Sequence, residues 1–135
     1  MTVEQFFVRY AALSMGDDGV ALAAMYAPSF FVASPRGSMT FANDTQFLEW
    51  LTHMRAFNRQ HGMRGLAPAA VKETALSPLH VLAQVRWRVQ FEKTGATAIE
   101  FEIAYLMERA GESWHLLGYI SERDQEEEMQ ALGLL

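Results

Sequence analysis

The spacing of apolar residues changes along the chain, and the change falls near Pro68. Before it, apolar positions recur every three to four residues. Phe6, Phe7, Tyr10 and Leu13 share one helical face behind Thr2, whose spacing to Gln5 is that of a capping box, and Gly16 stops this helix. Asp17 and Asp18 can cap a second, shorter helix through Met25 and Tyr26 that Pro28 ends. Ser29 to Ser34, aromatic and β-branched, predicts a short strand, Pro35-Arg36-Gly37 a turn, and Ser38 to Phe41 the returning strand. Asn43 with Gln46 repeats the capping spacing. Phe47, Trp50, Leu51, Met54, Phe57 and His61 then trace an amphipathic helix stopped at Gly62.

Beyond Pro68 the period is two. Val71 to Leu76 predicts a strand, and Leu79 to Lys93 alternates Val81, Ala83, Val85, Trp87, Val89 and Phe91 with polar positions. Thr94-Gly95 turns the chain into Thr97 to Arg109, where Ile99, Phe101, Ile103, Tyr105 and Met107 alternate with Glu100, Glu102 and Ala104. Ala110-Gly111 turns it again into Ser113 to Glu122. The order is helix, helix, short hairpin, helix, then a four-stranded antiparallel meander. That is an α+β domain.

Strand register decides which residues share a face. A two-residue loop at Thr94-Gly95 sets Trp87 opposite Glu102, and a two-residue loop at Ala110-Gly111 sets Tyr119 opposite Glu102 and Leu117 opposite Ala104. One face then holds Val85, Trp87, Val89, Glu102, Ala104, His115 and Tyr119. The other holds Arg86, Arg88, Ile99, Phe101, Ile103, Tyr105 and Trp114. Both are largely apolar, so one buries against the helices. The face of Ile99, Phe101, Ile103, Tyr105 and Trp114 is expected to join a homodimer. A longer connection that slips this pairing by one residue instead sets Glu100 and Glu102 opposite Arg88 and Arg86. Because side chains alternate, that slip turns the whole strand over. The shorter loop is preferred.

Composition narrows the classes. The chain has 135 residues, 50% apolar and 20% charged, which excludes disorder and suits a single domain over 1–135. The absence of cysteine excludes disulfides, thiolate zinc sites and thiol nucleophiles, and makes the cytoplasm the expected compartment. Glu4 and Arg9 interrupt the first apolar stretch, so no signal peptide is expected. The uncharged run from Gly19 to Pro35 is 17 residues, too short for a membrane span. The net charge is -5, and five acids against Arg123 place -4 of it in an acidic C-terminal extension, 122–135. The remaining near-neutral body offers no electrostatic footprint for nucleic acid or a membrane surface.

Arg9-Tyr10 leading to Gly16-Asp17, Ser34-Pro35 with Gly37, Phe91-Glu92 with Gly95, and Gly111 followed by Trp114 occur in a telling order. From Val3 to Arg123 the chain resembles the nuclear transport factor two-like superfamily, in its SnoaL-like and ketosteroid isomerase-like branch. The resemblance implies a cone-shaped, curved mixed sheet wrapped around three N-terminal helices. An apolar pocket would open at one end, and copies would pair through the sheet. Isomerases of that family place a catalytic aspartate before the Pro-x-Gly turn, a tyrosine on the first helix and a protonated aspartate on a central strand. Those carboxylate positions fall here on Ser34 and Ala104, so steroid isomerisation is not carried over.

The candidate site is therefore Glu102 opposite Tyr119 with Trp87 beside them, where a carboxyl under apolar cover would serve as a general acid or base. Tyr10, Ser34, Trp50, Met54, Ala104 and His115 complete the expected lining. No cofactor is expected. His53 and His61 stand eight residues apart on one helix, not at the spacing of a metal pair, so no metal is expected either. The reading is a pocket protein for a small apolar molecule. A cofactor-free isomerase, dehydratase or cyclase using Glu102 and Tyr119, and a non-catalytic assembly module, are the alternatives.

Overall fold

Over residues 1–95 and 97–123, which the computed structural model describes, three helices precede or interrupt six strands. They are α1 (Val3–Met15), α2 (Gly19–Ala23), β1 (Tyr26–Ser34), β2 (Gly37–Ala42), α3 (Thr45–Gln60), β3 (Met63–Ala75), β4 (His80–Phe91), β5 (Ile99–Ala110) and β6 (Ser113–Ser121). The strands form one sheet in the order β2-β1-β6-β5-β4-β3, antiparallel except where β1 runs parallel to β6. This is the expected α+β arrangement of a mixed sheet around three N-terminal helices. The acidic extension lies, from residue 124 onward, outside the described residues.

Local chemistry explains most boundaries. Thr2 and Gln5 form the predicted capping box on α1, and Asp18 caps α2 by accepting from the Ala21 amide at 3.0 Å. Gly62, with φ 77°, makes the left-handed turn from α3 into β3. Three readings need correction. Pro28 does not end α2, which stops at Ala23; it lies inside β1, where pairing to β6 is interrupted between Tyr26 and Phe31. Asn43 does not cap α3. Its side-chain amide donates to the carbonyls of Ala23 and Tyr26, at 2.8 and 3.2 Å, bracing that irregular segment, while Asp44 caps by accepting from Phe47 N. Finally, β3 begins well before Val71 and contains Pro68. It is an edge strand with a register shift beside the proline, so the missing amide costs little.

The decisive correction is the β4–β5 register. Arg86 faces Glu102, Arg88 faces Glu100 and Trp87 faces Phe101. The connection is not a two-residue loop: Glu92–Thr94 form a 3-10 turn and Gly95 follows at φ 62°. Ala83, Val85, Trp87 and Val89 thus share a face with Ile103, Tyr105 and Met107, all of them buried. The residues expected at a dimer interface, Ile99, Phe101, Ile103, Tyr105 and Trp114, belong instead to the side covered by the helices, and Trp114 Nε1 donates to the Met1 carbonyl at 3.2 Å. The outward face carries Arg86, Arg88, Glu100, Glu102, Ala104 and Leu106.

On the inward face α1 supplies Phe7, fully buried, with its ring 4.8 Å from Tyr105 and 6.0 Å from Trp87. Phe6, Val85, Met107 and Leu116 complete the tightest part of the core. Burial of each such side chain is worth about 1.5–3 kcal/mol. This end of the cone is solid. The opposite end is not.

Candidate functional site

A cavity of about 600 Å³ occupies the open end of the cone, between the inward sheet face, α1 and α3. All four tyrosines of the chain reach it: Tyr10 from α1, Tyr26 from the start of β1, Tyr105 from β5 and Tyr119 from β6. Their hydroxyls are organised. Tyr10 and Tyr26 hydrogen-bond to each other, and Trp87 Nε1 donates to the Tyr105 hydroxyl at 2.9 Å. Tyr10 sits 5.9 Å from Trp87 and 6.1 Å from Tyr105, ring to ring, and Tyr105 5.6 Å from Tyr119. Such separations suit aromatic pairs that contribute beyond simple burial.

Tyr119 is aimed inward by an irregularity. Met107 pairs with Leu116, but Leu106 pairs with Gly118 and Tyr105 with Tyr119, so Leu117 is an extra residue in β6. Without this bulge, strict alternation from Leu116 would turn Tyr119 outward. Bulges commonly re-aim one side chain in this way. Gly118 makes room on the outer side. A Cβ there would meet the Phe31 ring at 2.2 Å.

Burial holds all four phenols protonated. Loss of hydration raises Tyr10, and raises Tyr26, Tyr105 and Tyr119 much further, with neighbouring tyrosines adding to the effect. The hydrogen bond from Tyr26 partly offsets the shift of Tyr10, and that from Trp87 the shift of Tyr105. These groups act as neutral hydrogen-bond donors, able to polarise a carbonyl or steady a developing oxyanion. The rim adds Arg36, Arg55, Arg123 and His53. Among the described residues that line the cavity there is no carboxylate, and no cluster of His, Asp or Glu suited to a metal ion occurs among the described residues.

Of the residues singled out from sequence, Tyr10, Ser34, Trp50, Met54, Trp87 and Tyr119 line the cavity. Glu102 does not. It lies on the outward face, accepting from Arg86 Nη2 at 2.9 Å and from Arg86 Nε at 3.2 Å. Ala104, between Gln84 and Ile120 on the same face, is likewise outside. His115 opens onto a separate surface groove with Pro28, Asn43 and Leu48. Tyr26, Tyr105, His53 and the three arginines were missed. Tyr105 carried a legible signal, since it falls in one alternating series with Ile103 and Met107. Tyr26 carried none, being read as the end of a helix.

Solved structures share this fold. Aln2 from Streptomyces sp. matches with a TM-score of 0.69 at 15% identity, covering 96% of this chain and 92% of that one. An NTF2-like protein with a cystatin-like fold from Novosphingobium aromaticivorans matches at 0.67 and 13% identity, covering 98% and 86%. A protein with a ketosteroid isomerase-like fold from Catenulispora acidiphila, in complex with trimethylamine, matches at 0.56 and 17% identity, covering 91% and 88%. No curated protein matches the chain. No helix among the described residues is long and apolar enough to cross a membrane. With a family model matching residues 1–124 and the cone, its cavity and its mixed sheet all in place, the chain belongs to the family described as NTF2-like protein (DUF6841).

Proposed function

We propose that this protein binds a small, largely apolar molecule in the open end of the cone. The observation that carries the reading is the cavity itself: about 600 Å³, walled by Trp87, Phe101, Ile103, Met54 and four tyrosines. That size and mixture, mostly apolar with a few convergent polar groups, is the ordinary constitution of a small-molecule site. Calorimetric titration with a neutral aromatic ketone such as 2-acetylnaphthalene tests it. One saturable site per chain is expected, and Met54→Trp, which fills the cavity from α3, should weaken it at least about tenfold. No saturable binding, or equal binding to a folded Met54→Trp variant, would overturn the reading.

A cofactor-free isomerase, dehydratase or cyclase is the second reading, favoured by one observation. The four phenols line one cavity, and the Tyr119 hydroxyl donates to no described residue. With Glu102 on the far side of the sheet, His53 is the lining side chain with a basic nitrogen. Association between copies, in turn, is proposed through the outward sheet face rather than the face expected from sequence.

A further inference from the structure

We propose that the uncharged stretch 129–135 of this same chain docks along the sheet edge at β2 and covers the apolar flank beside it. The edge is the first observation. β2 is the last strand of the sheet, all six of its residues are exposed, and none is charged or proline. Exposed edges are ordinarily protected by charge, proline, a bulge or a covering segment. The opposite edge has such protection, since β3 carries Arg64, Pro68, Lys72 and Glu73 and shifts register beside the proline. β2 has none of these and pairs with β1 in unbroken register. A covering segment is the device left to it. The flank is the second observation. Met39 lies opposite Val32 and Phe41 opposite Phe30, which turns both side chains to the inward face. From α3, Trp50 stacks on Phe47, and Phe47 packs on Phe30. Met39, Phe41 and Trp50 are nonetheless 64%, 38% and 48% exposed. Large apolar side chains gathered in this way mark a surface that something covers.

What identifies the occupant is where the chain leaves the sheet. β6 runs parallel to β1 with Ile120 beside Ala33, so it ends at Ser121 next to the turn into β2. β1 alone separates β6 from β2. The space outside β2 is therefore three strand spacings from β6, about 14 Å. Residues 124–128, four of them acidic, span that distance at about 3.3 Å each. Residues 129–135 then bring five apolar side chains and no charge to an uncharged strand of six residues. The acids of the tether keep their water. Met129, Ala131, Leu132, Leu134 and Leu135 leave it together with Met39, Phe41 and Trp50, so apolar area is removed on both sides of the contact.

The chain has no cysteine, so an engineered pair reports on this contact without ambiguity. In the full chain, Met39→Cys and Thr40→Cys are each combined with Ala131→Cys and, separately, with Leu132→Cys. Met39 and Thr40 are neighbours, both exposed and equally near the tether, but they sit on opposite faces of β2. Because both are exposed, the reduced variants should keep the thermal midpoint of the unsubstituted protein. Under mild oxidation, a disulfide within one chain is expected to form at least about tenfold faster with Met39→Cys than with Thr40→Cys, read by mass spectrometry of the monomer. Equal rates from the two faces would show a tail that reaches the edge without docking on the flank, and would overturn the proposal. The absence of any disulfide in all four variants would overturn it too. A disulfide formed only between chains would do the same and assign the flank to a second copy.

Discussion

Two tyrosines with similar surroundings have opposite duties. Tyr105 accepts from Trp87 Nε1 at 2.9 Å, and Trp87 is only 2% exposed, so that hydroxyl is the acceptor the indole N–H depends on. Tyr105→Phe leaves that donor unsatisfied and is expected to cost about 1–3 kcal/mol of stability, read from chemical denaturation. Tyr119 gives its proton to no described residue. Tyr119→Phe should leave the denaturation midpoint unchanged or slightly raised, while weakening 2-acetylnaphthalene binding by about threefold to tenfold, the worth of one hydrogen bond to a neutral acceptor. The contrast is the test. Equal losses of stability in the two variants would mean that Tyr119 is a structural tyrosine and that the cavity lacks its central donor.

At the scale of elements, the helices and the meander were legible because each carries its own period and punctuation. Thr2, Asp18 and Gly62 mark ends that the structure keeps. Pairing was harder to read, because it depends on a connection whose geometry no periodicity encodes. The 3-10 turn at Glu92–Thr94 displaces β5 by one residue from the two-residue-loop register, and the displacement carries Glu102 out of the cone. A signal against the shorter loop was nonetheless present. It left both faces mixed, whereas the observed register gives one wholly apolar face and another bearing Arg86, Arg88, Glu100 and Glu102. Binary pattern should have outweighed loop preference. The bulge at Leu117 then restored Tyr119 to the cavity, so the sequence placed Tyr119 and Trp87 on one face through two departures that cancel. Glu102→Gln follows from this geometry. Its partner Arg86 is exposed, and isolated surface pairs contribute little. Thermal midpoint and 2-acetylnaphthalene affinity should both match the unsubstituted protein; a loss of affinity would show that the outer face communicates with the cavity.

At the scale of the molecule, the helices cover one face of the sheet, and no other described element covers the outer one. On that outer face Ala104, Leu106, Leu117 and Ile120 lie beside Phe31, with Ile120 half exposed, and the Arg86–Glu102 pair borders them. An apolar centre with charges at its margin is ordinary interface composition. A second copy is the simplest occupant, because a two-fold axis sets each patch against itself. Sedimentation of the protein at micromolar concentration is therefore expected to give a dimer. Leu106→Lys combined with Ile120→Lys should give a monomer of unchanged far-ultraviolet circular dichroism. A monomeric unsubstituted protein would remove the second copy as the occupant and leave the face to a different chain. Because the cavity lies on the opposite side of the sheet, the monomeric variant should still bind 2-acetylnaphthalene. Lost binding in a folded monomer would instead make the second copy part of the site, and would shift weight from a self-contained pocket to one that assembly completes.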